Sequence, residues 1–216
     1  MLWYILIGMG VAGLIGVLIS RKKKEEQSRQ QAREAVVRGA NVTNDITGVR
    51  KGGVLHLPPF GKQRAPIETY VRTRHRYEDG GAPWYELVCE HGNRELLIEW
   101  SREGRAVYVT AGFEDENPSL EDLGLDESKL IDFDEAERGS FPWDGATWHY
   151  VESGERMYFE DDGRDREGFY CWEFEDEGES RQITVEKWVG ERKFQVYHLW
   201  RVDPKGIEIF DAGDGK

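Results

Sequence analysis

Carboxylates are the reactive side chains that this chain carries in quantity: 42 Asp and Glu against 29 Lys and Arg in 216 residues. Two pairs recur at one spacing. Glu86 and Glu173 lie 87 residues apart, as do Glu99 and Glu186, and all four sit in aromatic, apolar runs. Glu99 and Glu186, at run ends beside tryptophans, are the candidates for burial. Two carboxyls brought together can perform acid–base catalysis. Hydrogen bonding inside a core is the commoner use of a buried carboxyl, and the residues favour it. A third group is concentrated rather than spaced: 114–137 holds 11 acids and a single base, Lys129. A calcium loop needs oxygen ligands around a central glycine. Asp132-Phe133-Asp134-Glu135-Ala136-Glu137 has none, and in Asp161-Asp162-Gly163-Arg164-Asp165 the glycine comes too early. The insert 114–137 therefore reads as a solvated acidic loop, with docking of a cationic partner or polyamine as its functional alternative.

Other chemistry is thin. Cys89 and Cys171 are far apart in apolar runs and read as core residues. His56, His75, His91, His149 and His198 are scattered, without the short spacing a zinc site needs. No nucleophile elbow, phosphate loop or dinucleotide fingerprint occurs. No catalytic, cofactor-binding or metal residue is assigned, and no cofactor is expected. The formal charge of −13 excludes an ordinary nucleic-acid binder, which needs a basic footprint.

The elements that must position these carboxylates are strands. From Val54 onward short alternating runs are split by turn residues. Ile67, Thr69, Val71, Thr73, His75 and Tyr77 alternate with Glu68, Tyr70, Arg72, Arg74 and Arg76, the period-two pattern of a strand with one wet face. Breaks at 78–81, 91–93, 103–104, 153–154 and 177–178 predict hairpins and antiparallel pairing. Helix is scarce, limited to a short one near Leu120–Leu125 capped by Ser119 and Asp122. The expected fold is mainly β, in antiparallel meanders. The matched glutamates predict two related lobes, 50–113 and 141–210, that pack together over an aromatic core within a β-rich domain at 50–210.

Ahead of that domain, Leu2–Ile19 is 18 residues without a charge, roughly 27 Å as a helix and enough to cross a hydrocarbon core. Arg21-Lys22-Lys23-Lys24 follows directly, and nothing basic precedes the run, which favours an uncleaved anchor over a signal peptide. Basic residues stay on the cytoplasmic side, so the N-terminus is expected outside and the body in the cytoplasm, on an inner membrane crossed once. Residues 20–49 read as a juxtamembrane helical stalk and linker.

Lys51-Gly52-Gly53-Val54, the W-x-E-L run at Trp84–Leu87, a hydrophobic run ending in Trp100, the Trp172-Glu173-Phe174 run and the I-T-V-E-K-W segment at 183–188 come in one order. In these motifs the chain resembles the bacterial domain of unknown function 4178 over roughly 50–210. The insert at 114–137 departs from that pattern. The resemblance implies a β-rich bacterial domain, sometimes found with membrane segments and without an established activity. It also implies a loose association with membrane-stress and polyamine-related systems. The expected function is a membrane-anchored cytoplasmic β domain binding a partner protein or cationic ligand. The alternative is a membrane-associated enzyme that uses a carboxylate pair.

Overall fold

A computed structural model describes residues 42–211 and 213. The alternating runs become eleven strands: β1 (Val54–Leu57), β2 (Ile67–Glu78), β3 (Trp84–His91), β4 (Arg94–Glu103), β5 (Ala106–Phe113), β6 (Ser140–Trp143), β7 (Ala146–Phe159), β8 (Arg166–Asp176), β9 (Arg181–Trp188), β10 (Gln195–Arg201) and β11 (Glu208–Asp211). Among the described residues the single α-helix is α1 (Glu127–Ala136). Neighbours pair in the order β2-β3-β4-β5-β10-β9-β8-β7, and β7 returns to pair with β2. Eight antiparallel strands thus close into a barrel. β1 and β11 extend the sheet beside β2, and β6 extends it beside β7. The tight turns use glycine where the backbone must be left-handed, as at Gly92 (φ 66°) and Gly104 (φ 58°).

The two meanders do not stack as packed lobes; they meet edge to edge. On one side Ala111 and Thr110 of β5 pair with Trp200 and Arg201 of β10. On the other, Arg76, Tyr77 and Glu78 of β2 pair with Phe159, Tyr158 and Met157 of β7. The first seam is tight. A Cβ at Gly112 would lie 2.4 Å from the His198 carbonyl oxygen, so only glycine lets the two backbones approach. Beyond the ladder, Asn117 takes the place of a strand partner, accepting from the His198 backbone N–H at 3.0 Å.

The two larger apolar clusters lie outside the barrel wall. Leu87, Leu96, Ile98 and Val109 pack against Ile46, Leu55, Leu57 and Ile209 from β1, β11 and the segment before them. On the other half Trp172, Phe174, Ile183 and Val185 pack under Leu125, Leu130, Phe141 and Trp148. Each such side chain removed from water contributes roughly 1.5–3 kcal/mol. The extra strands and the insert are therefore the covers of the barrel's apolar outer faces.

Several expectations change. The expected break at Ser153-Gly154 is absent: β7 runs through it, bulging between Tyr150 and Glu152. Gly154 makes room rather than a turn, since a Cβ there would meet the Arg156 guanidinium at 2.9 Å. Turn residues fill 120–124, and the helix forms later, at α1, where the Asp126 side chain accepts from the Lys129 N–H. Packing begins at Thr43, ahead of residue 50: Ile46 and Val49 are buried, and Asn44 donates to the carbonyls of Lys205 and Ile207. The expected span 2–19 and most of the stalk 20–49 lie outside the described residues. Among the described residues no helix is long and apolar enough to cross a membrane.

Candidate functional site

With apolar side chains on the outer face, the strand pleat turns the alternate residues inward. On β8 these are Phe169, Cys171, Glu173 and Glu175; on β9, Gln182, Thr184, Glu186 and Trp188. β3 and β4 contribute Trp84, Glu86 and Glu99. All four glutamates singled out by spacing point into one lumen. Glu86 stands directly opposite Glu99 in the β3–β4 register and opposite His75 in the β2–β3 register. Glu186 stands opposite Cys171.

The lumen holds two cavities. One, of about 500 Å³, opens toward the β2–β3 and β8–β9 turns and is lined by Trp84, Glu99, Arg156, Cys171, Glu173 and Glu186. The other, of about 660 Å³, opens toward the β9–β10 turn and is lined by His75, Glu86, Tyr158, Trp188 and Tyr197.

Hydrogen bonding is uneven. Trp188 Nε1 donates to Glu186 Oε2 at 2.8 Å, and the Tyr77 hydroxyl donates to Glu86 Oε1 at 3.3 Å. Arg156 donates to Glu152 Oε1 at 2.7 Å and stands 3.9 Å from Glu173 Oε1, while its buried Nε has no partner among the described residues. Glu99 is surrounded by other carboxyls and makes no hydrogen bond to a described residue. It keeps part of its surface on the cavity, so it is enclosed by protein yet reachable from the lumen.

Enclosure and mutual repulsion favour the neutral carboxyl. Burial pushes Glu86 up to about 7, against the Tyr77 hydrogen bond. Burial and then Glu152 push Glu173 to about 7, with Arg156 opposing. Burial and Glu86 push Glu186 to about 8, and burial with Glu86 and Glu186 lifts Glu99 well above the carboxylate range. Burial also raises the Cys171 thiol, which makes it a poor nucleophile. The arrangement can hold or release protons near neutrality, and it can accept positive charge. Aromatic faces of Trp84, Tyr77 and Phe169 stand beside the carboxyls.

The acidic insert keeps most of its carboxylates at the surface, as expected, but it is ordered: it carries α1, and several of its acids are engaged by neighbours. Asp115 and Glu116 each lie 2.6 Å from Arg94 Nη2, whose guanidinium covers the Phe113 ring. Asp122 and Ser119 cap each other, and Asp134 accepts from Tyr170 and Ser153. Asp162 pairs with Arg74. The histidines stay apart, and among the described residues no group of three His, Cys, Asp or Glu could hold a metal ion. Cys89 and Cys171 are free and buried. Sequence reasoning missed Arg156 and Tyr77: beside a bulge, strand parity no longer tells an inward side chain from an outward one.

No curated protein and no solved structure matches the chain. A family model, Domain of unknown function (DUF4178), matches residues 67–204. That match runs from the first strand of the barrel past the last, over more than half of the sequence, and the chain belongs to this family of domains of unknown function.

Proposed function

We propose that the barrel is a receptor for a small organic cation, an amine such as a polyamine, taken into the cavity that Glu99, Glu173 and Glu186 line. One observation carries this reading: six carboxyls, of Asp79, Glu99, Glu152, Glu173, Glu175 and Glu186, line one cavity with two guanidiniums, those of Arg156 and Arg201. An eight-stranded barrel is wide enough for one small ligand. A cavity of about 500 Å³ is in the range of small-molecule sites. An ammonium would neutralise carboxylates that otherwise repel one another, and it would face the rings of Trp84 and Phe169. The unpartnered Arg156 Nε offers a donor to a polar group of the ligand.

The two halves, 50–113 and 141–210, are on this reading copies of one four-stranded unit. β3 and β4 carry Glu86 and Glu99 where β8 and β9 carry Glu173 and Glu186. The span 2–19 and stalk 20–49 would hold the barrel at the cytoplasmic face of an inner membrane, with its net negative charge keeping it off an anionic leaflet. Calorimetric titration with 1,4-diaminobutane and with spermidine tests the ligand class. Saturable heat that is lost in Glu99→Gln supports it, and no heat from any amine at pH 8 removes it.

A second reading is acid–base catalysis in the same lumen, favoured by carboxyls poised near neutral pH at Glu86, Glu173 and Glu186. Chemical turnover of a bound amine, followed by mass spectrometry, would select it over simple binding.

A further inference from the structure

Tyr77 lines both cavities of the lumen. It enters from β2, near the seam with β7, and its ring stacks on Trp84 with centroids 5.3 Å apart and planes 13° apart. Tyr158 lies 5.3 Å from the same ring and Phe169 5.8 Å, edge-on. Phe169 in turn stacks on Trp188 at 4.8 Å. Trp84 and Phe169 line the first cavity, while Tyr158 and Trp188 line the second. These rings form an apolar cluster of their own, with Cys171, whose members stand on the walls of both cavities. Tyr77 is the buried member common to both sides, and its hydroxyl is tied to Glu86, on the wall of the second cavity.

We infer that Tyr77 is the specificity-determining residue of the barrel, a septum that limits how far a ligand bound in the first cavity reaches toward the second. The inference rests on the amine-binding reading above and adds the ligand's length to it. An ammonium held at Glu99 and Glu173 has its alkyl chain directed along the lumen, toward the rings. Each methylene buried there should strengthen binding about four-fold. The gain should end where the chain meets Tyr77, because a close-packed ring cluster does not yield to an added methylene without strain.

The experiment titrates the full chain with straight-chain alkylammonium ions from methyl to octyl, in wild type, Tyr77→Ala and Tyr77→Phe. Wild type and Tyr77→Phe should share one length at which the gain stops, since the ring is kept. Tyr77→Ala should keep gaining over at least two further methylenes. Should Tyr77→Ala fail to fold, Tyr77→Leu carries the same comparison. Equal cut-offs in wild type and the ring-less variant, or no cut-off in wild type, overturn the septum while leaving amine binding intact. No binding of any alkylammonium ion by wild type removes the receptor reading and the septum with it.

Discussion

Glu86 and Glu99 face one another across adjacent strands inside the barrel, in direct cross-strand register. Like charges in that relationship are destabilising. The pair is tolerated because enclosure keeps the carboxyls neutral, and the Tyr77 hydroxyl engages Glu86.

Stability should therefore fall as pH rises. A carboxyl raised in the folded state holds a proton that the unfolded chain has already released. Its contribution is complete below the ordinary value of 4.5 and is lost through about 7 for Glu86 and Glu173 and about 8 for Glu186. The slope is roughly 1.4 kcal/mol per pH unit for each such proton. Denaturant unfolding between pH 5 and 8 measures it. A flat profile would mean that the lumen is well hydrated and its carboxyls titrate as exposed ones.

Glu186→Gln should raise the midpoint of thermal unfolding at pH 8 and change it little at pH 5. The amide is a neutral isostere that can still accept from Trp188 Nε1. Destabilisation at both pH values would show that the carboxyl is needed for a contact an amide cannot replace.

Amine affinity should run opposite to stability. An ammonium binds the ionised carboxylates, so affinity should rise from pH 6 to pH 8 by up to about tenfold per unit for each proton released. Calorimetry in buffers of different ionisation enthalpy counts those protons. Equal affinity at both pH values would mean that the lumen carboxyls take no part.

Asp176 behaves in the opposite sense. Burial acts to raise it, yet hydrogen bonds from Arg181 and from the Ser180 N–H and hydroxyl outweigh burial and hold it below its ordinary value. Asp176 Oδ2 lies 2.9 Å from Arg181 Nε, and both side chains are nearly enclosed. Its stabilisation is present above the ordinary value of 3.8 and is lost as pH falls through the lower folded value. Asp176→Ala should cost roughly 1–3 kcal/mol, because Arg181 Nε and the Ser180 and Arg181 N–H groups lose their acceptor while Asp144 still holds Arg181 Nη1. A loss under 1 kcal/mol on denaturant unfolding would show that water replaces the carboxylate.

Gly112→Ala should destabilise the barrel by about 1–3 kcal/mol, since the atom it would strike is the His198 backbone oxygen and not a yielding side chain. Alanine at Gly48 meets nothing within 4 Å, and Gly48, like Gly112, has no left-handed backbone, so Gly48→Ala serves as the control for losing a glycine without a close approach. If the two lose equal stability, the close approach at the seam contributes nothing.

The strands were legible because each has one apolar face, and alternation within β2, β8 and β9 is a local signal. The matched positions of Glu86 with Glu173 and Glu99 with Glu186 were legible too. Their convergence was not. Whether a face that begins with Trp84 and Glu86 looks into a lumen or out to solvent depends on which distant strands close the ring, and Arg76–Phe159 and Ala111–Trp200 leave no local trace. α1 escaped because only Leu130 of its residues is buried, too little for a helical stripe. β7 was split in two because Gly154 imitates a turn, although its lack of a side chain serves Arg156.

The barrel's seams are short, while the ladders inside each meander are long: β7 and β8 pair from Trp148–Asp176 to Phe159–Arg166, across one bulge, whereas β5 meets β10 at Ala111 and Thr110. Each meander can zip up from hairpins between neighbours in sequence, and the ring then waits on contacts between remote strands, which form slowly. Until it closes, β5 of one molecule offers the edge that β10 of another can take as readily as its own. Refolding at high protein concentration should therefore yield strand-exchanged dimers, whose barrels are each completed by two chains.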